Sequence, residues 1–391
     1  MPTHTPTRRR HGAPIRMIGM LSTYPPKLCG LATFAAALTN ALREAGHRVD
    51  VVRINDGLEL PTVGQQVAAE LVNGSSISLR HAAAVLSRCE SVIVQHEYGI
   101  FGGADGDEVL DLLDALTVPA IVVLHTVPLQ PSDHQRSVLE AVCARAAVVV
   151  VMTRAANDRL LALYDVDAAR VDVISHGAAL AASAAGAATA RTAAPQLLTW
   201  GLLGPGKGIE HVIDALTLLA DVHPTLRYTV AGVTHPKVLA HAGDEYRHSL
   251  IRRSWANGLA ASVTFDDTYR DVPTLTRFVA SSSLVVLPYD SKDQVTSGVL
   301  VDAIAAGRPV VATAFPHACD LLQSGAGIVV PHGDPVALAG ALRSVMTDPD
   351  RLAAMTAEAQ RLAPQLAWSV IAAKYAAVCA GLVVERAGIA S

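Results

Sequence analysis

The chain has 391 residues, which is more than one ordinary hydrophobic core holds and predicts two domains of about two hundred residues or fewer each. Hydrophobic residues at 51% and charged residues at only 17% exclude a largely disordered chain. A formal net charge of −4 without a strongly basic domain argues against nucleic acid as the main partner. The five cysteines form no CxxC pair, so the sequence indicates neither a zinc site nor a disulfide framework, and we expect a reducing, cytoplasmic compartment.

Residues 1–14 are polar, basic and proline-containing, and we expect them to form a disordered tail. The apolar stretch that follows Arg8, Arg9 and Arg10 is too short for a signal peptide, and no run approaches the ~18 apolar residues of a membrane span. Contact with a membrane is therefore expected to be peripheral at most, between the basic tail and anionic lipid.

Residues 15–180 alternate between short apolar runs and helical runs, which predicts a first domain built on a doubly wound parallel sheet. Residues 181–195 are rich in alanine and are interpreted as an inter-domain linker. The alternation resumes over residues 196–367, so a second domain of the same kind is predicted. Residues 368–391 form a C-terminal helix that could pack back on the first domain. Two such domains predict a ligand in the cleft between them.

The segment Leu284–Thr313 organises the second domain. Its order is an apolar strand, a polar loop, a helix that ends at Gly307 and a second strand after Gly-Arg-Pro, which together predict one βαβ unit. Open α/β sheets bind ligands at the carboxyl ends of their strands. Residues 296–298 open the helix there, and a helix start suits a phosphate. Asp302 lies one turn further on, where a carboxylate could accept hydrogen bonds from a sugar diol.

The sequence GPGKG at Gly204–Gly208 follows a strand and opens a helix. It has neither the GxxxxGK[ST] spacing nor the GxGxxG spacing, so on its own it is typical of an ordinary βα turn. Its glycines nevertheless allow a close backbone approach, and Lys207 can offer an ammonium to a diphosphate. Together with residues 296–298 it predicts two phosphate-binding segments on one sheet edge.

Polar residues also follow strands of the first domain. His96, Glu97 and His125 stand at strand ends, where they could position an acceptor. The sequence DGD at 105–107 has the form of a DxD metal motif, but it precedes a helical run and is better explained as acidic capping of the helix start. The histidines show no ligand spacing, so no metal site is predicted.

Four segments carry a family resemblance, in the order YPPKLCGLATF, DVISHG, GLLGPGKGIEHVIDAL and DSKDQVTSGVLVDAIAAGRPVVAT. They resemble the family-4 glycosyltransferases of GT-B architecture, and the resemblance covers nearly the whole chain after the basic tail. It implies two Rossmann-like parallel-sheet domains that face a cleft, with a nucleoside diphosphate sugar on the second domain. It further implies transfer of a hexose of the mannose or glucose type, with retention, to a glycan, lipid or small-molecule acceptor, and without a metal or another cofactor.

The same resemblance assigns roles to residues of this chain. Lys207 would bind the diphosphate, Asp302 the ribose hydroxyls and His125 the donor sugar, while Gly30 would lie close to the phosphates and the acceptor. The implied catalytic set is His125, Lys207, Gln294 and Asp302. The implied donor-binding set is Gly30, Gly206, Lys207, Arg270, Gln294, Thr296, Ser297, Gly298 and Asp302, and the acceptor-side set is His96, Glu97 and His125.

Two departures from the family pattern bear on the chemistry. Leu202 stands where the family usually has an arginine, which removes a phosphate contact of about 1.5–3 kcal/mol, and Arg270 is a candidate substitute. The family's paired glutamates become Gln294 and Asp302. Gln294 can bond sugar hydroxyls but cannot balance a developing positive charge, a role that Asp293 could take after a slip of one residue.

Two alternatives to a glycosyltransferase remain open from the sequence. A nucleotide-sugar 2-epimerase on the same architecture would need no acceptor, and donor incubated alone would then yield an epimer. A non-catalytic protein that binds sugar nucleotides or glycans is the other alternative, because the glutamate pair is altered.

Overall fold

The computed structural model describes residues 16–27, 29–56, 66–181, 195–219, 221, 225–268 and 270–389. Of residues 385–389 it describes the backbone alone. Within these ranges the chain forms two parallel sheets, each flanked by helices. The prediction of two parallel-sheet α/β domains is thereby confirmed. The tail predicted over residues 1–14 and nearly all of the linker predicted over residues 181–195 lie outside the described residues.

The first domain is a sheet with the strand order β3-β2-β1-β4-β5-β6-β7 in the part of the chain that is described. Its strands are β1 (Met17–Ser22), β2 (Arg48–Asn55), β3 (Ala69–Val72), β4 (Ser91–His96), β5 (Ala120–Leu124), β6 (Val148–Val151) and β7 (Val171–Val173). Its helices are α1 (Gly30–Glu44), α2 (Ser76–Leu86), α3 (Glu108–Ala115), α4 (Asp133–Arg145) and α5 (Arg154–Leu163). The strand order reverses between β1 and β4, which pair in parallel.

The second domain repeats this arrangement, with the described strands in the order β10-β9-β8-β11-β12-β13. Its strands are β8 (Gln196–Trp200), β9 (Arg227–Ala231), β10 (Val263–Asp266), β11 (Leu284–Leu287), β12 (Val310–Thr313) and β13 (Gly327–Val330). The helices that follow in the chain are α6 (Ile209–Thr217), α7 (Pro236–Ala242), α8 (Glu245–Ala256), α9 (Val272–Ser281), α10 (Gly298–Ala305), α11 (Pro316–Leu322), α12 (Pro335–Met346), α13 (Pro349–Leu362) and α14 (Trp368–Ile389). Here the order reverses between β8 and β11.

The central strands are apolar because helices cover both faces of each sheet. In β4, Val92 and Val94 belong to the core on one face, whereas Ile93 belongs to the core on the other. All four residues of β11 and of β12 are buried. This two-sided burial explains why the sequence shows continuous apolar runs at these strands and not an alternating pattern.

Helix α14 belongs to the core of the first domain, although it follows the second domain in the chain. Ile371, Ala372 and Tyr375 are fully buried in the same cluster as Phe34 and Leu38 of α1. Just before α14, the amide of Ala178 donates to the carbonyl of Leu366 at 2.7 Å. The chain therefore leaves the first domain and returns to it at neighbouring points.

Three elements are absent from the sequence prediction. Strand β3 has four residues and pairs with β2 alone, at the edge of the sheet. Helices α7 and α11 have seven residues each and begin at a proline. Elements of one or two turns carry too few positions for a periodic pattern, so neither the strand period nor the helix period identifies them. In the described part of the chain, no helix combines the length and the apolar character needed to cross a bilayer.

Replacement of Tyr375 tests the docking of α14. The ring is fully buried, and its hydroxyl has no hydrogen-bond partner among the described residues. We expect Tyr375→Ala to lower the free energy of unfolding by about 3–5 kcal/mol, because a buried aromatic side chain is lost. Tyr375→Phe keeps the ring and should change stability by only about 1 kcal/mol or less. Urea unfolding followed by circular dichroism measures both, and equal midpoints for wild type and the alanine variant would contradict this placement of α14.

Candidate functional site

The residues that the sequence analysis selected follow the carboxyl ends of parallel strands. Gly30 lies after β1, Glu97 after β4 and His125 after β5 of the first sheet. In the second sheet Lys207 follows β8, and residues 293–302 follow β11. These positions flank the point in each sheet where the strand order reverses, which is where open α/β sheets form a crevice.

Lys207 lies over the ring of Tyr289, with Nζ 4.5 Å from the ring centroid. Burial lowers the pKa of this ammonium, and no charged group of the described residues opposes the shift. The chain thus offers a partly desolvated cation that is supported by an aromatic face and has no carboxylate partner there. Such a group is suited to an anion that arrives from outside.

The loop that carries Lys207 crosses the loop after β11 in direct contact. The carbonyl of Gly206 accepts a hydrogen bond from the amide of Asp290 at 3.0 Å. Gly208 has a φ of 63°, and a Cβ at this position would lie 1.8 Å from the carbonyl oxygen of Pro288. Only glycine therefore permits this crossing, which brings Lys207 to Tyr289 and to the start of α10.

The start of α10 is held by two side chains. The Ser297 hydroxyl caps the helix by accepting from the amide of Leu300 at 3.3 Å. The amide of Ser297 itself donates to Nδ1 of His317 at 2.9 Å. Burial lowers the pKa of His317 to about 3, so this ring is neutral and can accept that bond. The amides of Gly298 and Val299 remain in the first turn, where a helix leaves its N–H groups free for a ligand.

Asp302 lies in the second turn of α10 and is partly buried. Burial raises the pKa of its carboxyl to about 7, and no other described group contributes to the shift. A carboxyl group without a donor among the described residues is prepared to accept hydrogen bonds from a polar ligand. The sequence identified this residue by its helix position but could not indicate its desolvation.

Gln294 is half-buried in the loop before α10, and its carbonyl accepts a bond from the amide of His317 at 3.4 Å. The Thr296 hydroxyl is buried without a partner among the described residues. Arg270 forms an ion pair with Asp266. Its guanidinium also lies 4.0 Å from the centroid of the Phe278 ring. These contacts hold Arg270 within its own domain.

His125 is a half-buried polar residue directly after β5 of the first domain. Its Nε2 lies 2.7 Å from Oε1 of Gln95, and its ring meets Phe34 edge to face at 5.0 Å. Burial lowers the pKa of His125 to about 3, with His176 and His96 adding to the shift. His125 is therefore a neutral hydrogen-bonding group at pH 7, not a cation.

His176 touches the start of α10 from the side of the first domain. A Cβ added to Gly298 would lie 3.0 Å from Nε2 of this histidine, so the glycine permits the close approach. The ring packs against Phe34 at 4.9 Å and against Trp368 at 5.6 Å. Burial lowers the pKa of His176 to about 4, which keeps the ring neutral beside the helix.

Glu97 faces the second domain across the cleft. Its carboxylate accepts from the Thr126 hydroxyl at 2.5 Å and from the amide of Tyr98 at 3.0 Å. Burial raises the pKa of Glu97, and both hydrogen bonds and the ammonium of Lys237 oppose the rise. Lys237 comes from α7, a helix that the sequence analysis did not find, so this electrostatic interaction across the cleft was missed.

His96 and Gly30 occupy different environments. His96 is fully buried, and its ring lies 5.3 Å from Tyr98 and 6.3 Å from Phe101. Burial lowers its pKa to about 4, and both ring nitrogens lack partners among the described residues. This ring packs under the loop after β4 and does not reach the cleft surface.

Gly30 is exposed, and no atom lies within 4 Å of a Cβ placed there.

The acidic pair at 105–107 does not cap α3 through its side chains. Asp107 occupies the N-cap position without a side-chain hydrogen bond, and Oδ2 of Asp105 lies 2.9 Å from Nδ1 of His134 on α4. The prediction of an acidic residue at the helix start agrees with Asp107 at the N-cap, but the hydrogen-bonded side-chain cap is wrong, because the backbone of Asp107 is helical (φ −65°, ψ −16°) and not extended as in a capping residue.

A second group of polar side chains lies beside the Lys207 loop. Glu210, His211 and Asp290 offer donor atoms within 4.8 Å of one another. All three residues already take part in hydrogen bonds within the protein, since Nε2 of His211 lies 3.1 Å from Oδ1 of Asp290 and the Glu210 carboxylate accepts from the Tyr246 hydroxyl. A surface hollow of about 650 Å³ that includes Pro119 lies at the opposite, amino end of the first sheet.

Comparison with known families agrees with this geometry. Residues 29–181 match the model of Glycosyltransferase Family 4, and residues 187–362 match that of Glycosyl transferases group 1. The chain belongs to glycosyltransferase family 4. The two matched ranges correspond to the two sheets and together include every strand from β2 to β13.

Curated relatives of this family-4 chain include D-inositol 3-phosphate glycosyltransferases. The protein of Thermobispora bispora is 29% identical over 232 residues, which are 56% of this chain and 52% of the relative. That of Corynebacterium kroppenstedtii is 26% identical over 294 residues, which are 66% of this chain and 61% of the relative. The match to the first of these relatives spans about half of its length.

Solved structures show the same fold as this family-4 chain. Anabaena HepE in complex with UDP aligns with a TM-score of 0.75 at 19% identity, over 93% of this chain and all of the other. Sucrose-phosphate synthase from Thermosynechococcus elongatus aligns with a TM-score of 0.72 at 18% identity, over 96% of this chain. The architecture is GT-B, as the sequence analysis predicted.

The pKa of Asp302 can be tested through stability. Since the folded state favours the neutral carboxyl, the folding penalty is absent below the ordinary carboxyl pKa, grows as pH rises and is complete above about pH 7. We therefore expect Asp302→Asn to stabilise the ligand-free protein by about 1 kcal/mol at pH 8, or ~2–4 °C in Tm, and to have little effect near pH 4. Thermal unfolding between pH 4 and pH 8 measures the difference. A variant without any gain at pH 8 would show that the carboxyl is not desolvated.

Proposed function

We propose that this protein is a retaining glycosyltransferase that moves a hexose from a nucleoside diphosphate sugar to a hydroxyl acceptor. The observation that carries the proposal is the pair of unpartnered groups at one sheet edge of the second domain. Lys207 offers a half-buried ammonium, and Asp302 offers a partly buried carboxyl with a pKa of about 7. A ligand with an anionic end and a diol satisfies both.

The diphosphate would lie between Lys207 and the start of α10. The ammonium and the amides of Gly298 and Val299 place positive charge where negative charge develops on the leaving diphosphate. Ribose hydroxyls would donate to Asp302, whose ionised form such bonds favour. HepE, which shares the fold, has been crystallised with UDP-glucose, and this supports a donor of the same class.

The sugar would face Gln294 and His125. Both groups are neutral at pH 7, so they can orient hydroxyls but cannot balance positive charge on the sugar ring. The departing diphosphate must supply that balance, which is consistent with departure and attack on the same face of the ring. Retention, the hexose type and independence of metal remain parts of this proposal.

The acceptor would approach from the first domain, near Gly30, Glu97 and His125. Glu97 is a carboxylate on that side, and the positive charge of Lys237 from the second domain acts on it across the cleft. The curated relatives act, by their names, on D-inositol 3-phosphate, a polar acceptor with hydroxyl groups. An acceptor of that chemical class suits these polar walls.

A second candidate is a protein that binds sugar nucleotides without turnover. The replacement of a carboxylate by the amide of Gln294 favours it, since an amide cannot balance positive charge that develops on the sugar ring. Binding of a nucleoside diphosphate sugar with neither transfer nor slow hydrolysis over hours would establish this alternative.

Lys207→Ala tests the diphosphate site. The variant loses a charge that acts on the leaving group, so we expect turnover to fall about 100-fold, while Tm changes by only ~1–3 °C because the lysine lies on a loop. Lys292→Ala is the matched control, since Lys292 is exposed in the loop after β11. Transfer of a radiolabelled sugar measures both variants. Equal transfer by wild type and Lys207→Ala would remove this residue from the site.

Asp302→Ala tests the ribose contact. Loss of a partly buried acceptor for two hydroxyls should weaken the binding of a nucleoside diphosphate about tenfold, as measured by calorimetry. Inorganic pyrophosphate lacks the ribose and should bind the variant and the wild type equally well. A nucleoside diphosphate affinity that does not change would place the ribose elsewhere.

A further inference from the structure

Helix α5 of the first domain contacts the donor-side loop of the second domain through two side chains. The Thr153 hydroxyl donates to the carbonyl of Val295 at 2.8 Å. Nη1 of Arg159 donates to the carbonyl of Asp293 at 2.9 Å and to the carbonyl of Val127 at 2.9 Å. One guanidinium nitrogen thus joins two loops that belong to different domains.

The side chain of Val295 completes this contact. It is 3% exposed and belongs to the apolar cluster of the first domain that includes Val127 and Leu160, although Val295 itself lies in the second domain. A residue of one domain therefore fills part of the core of the other. Next to it, the amide of Arg154 donates to Oδ2 of Asp320 on α11 at 3.1 Å, which extends the same interface.

Gln294 lies between two residues that α5 anchors. Arg159 holds the carbonyl before it, Thr153 holds the carbonyl after it, and the amide of His317 reaches its own carbonyl. On the other loop, Val127 follows His125 by two residues. The positions of the Gln294 and His125 backbones are therefore linked through a single side chain.

Hydrogen bonds, and not charge attraction, account for the role of Arg159. Its side chain is 9% exposed, and Oδ1 of Asp293 lies 4.0 Å away in a side chain that is 58% exposed. The two carbonyl bonds are shorter, at 2.9 Å each, and the bond to Val127 is partly buried. Loss of the guanidinium would leave two carbonyls without this donor, and the loops could then separate.

We propose that Arg159 is a positioning residue which, with Thr153 and Val295, fixes the Gln294 loop against the His125 loop, so that docking of the two domains assembles the sugar-binding part of the site. This role rests on the proposed function, because Gln294 and His125 are assigned to the donor sugar there. The nucleotide part of the site depends on Lys207, α10 and Asp302, none of which bonds to α5.

The test compares Arg159→Met with Arg159→Lys and a matched control. The control is Arg170→Met, because Nη1 of Arg170 also donates to two carbonyls, those of Ala144 and Ala146, but both lie in the first domain and away from the loops. Hydrogen–deuterium exchange of peptides from residues 293–300 is measured on the ligand-free proteins. Affinity is measured by calorimetry with whichever of UDP, GDP and ADP binds the wild type most tightly, and kcat with the corresponding sugar donor.

Arg159→Met should exchange faster than wild type in this segment, and its kcat should fall about tenfold to hundredfold, because the sugar is misplaced. Its nucleoside diphosphate affinity should stay within about twofold of wild type, Arg159→Lys should recover part of the rate, and Arg170→Met should match the wild type. Val295→Ala leaves α5 intact and should repeat the result if Arg159→Met does not fold.

Unchanged exchange in residues 293–300, or an equal loss of kcat in Arg170→Met, would overturn this role for Arg159. A parallel fall of kcat and nucleotide affinity would also overturn it, since the loop would then serve the nucleotide and not the sugar. Failure of the proposed function has a different signature. In that case the wild type binds none of the three nucleotides, while exchange still responds to Arg159→Met.

Discussion

The site depends on two ionisable groups that the fold holds partly out of water without an opposite charge from the described chain. Burial acts against the charged form of each, lowering the pKa of Lys207 and raising that of Asp302. Packing of the surrounding sheet must offset this cost in the empty protein. When a ligand supplies an anion for Lys207 and hydrogen-bond donors for Asp302, this desolvation cost is recovered as binding free energy. The electrostatics of the site therefore favour ligands that carry both groups.

Much of the fold could be predicted from the sequence where burial is two-sided and local signals agree. The segment from β11 to β12 has apolar runs closed by Pro288 and a helix that ends at Gly307, and the structure follows this order. Strand β3 and helices α7 and α11 were missed because elements of so few residues show no recognisable hydrophobic period. These omissions mattered, since α7 supplies Lys237 and α11 supplies His317.

For the candidate site, the sequence identified residue types at strand ends but not their surroundings. His96 and His125 both end apolar strands, yet one is fully buried and the other is half-exposed beside the cleft. Arg270 could be named as a candidate phosphate contact, but only coordinates reveal its ion pair with Asp266. Arg159 carries no local signal at all, because its partners Val127 and Asp293 lie far from it in the chain.

The return of α14 to the first domain governs how the two halves can move. The outgoing and returning segments lie side by side, where Ala178 bonds to Leu366. Two adjacent crossings allow one domain to rotate about the axis that passes through both of them. They restrict translation and twisting of one domain relative to the other. A proteolytic cut between the domains would consequently not yield two independent folding units, because the first would lack the α14 residues Ile371 and Tyr375 of its own interior.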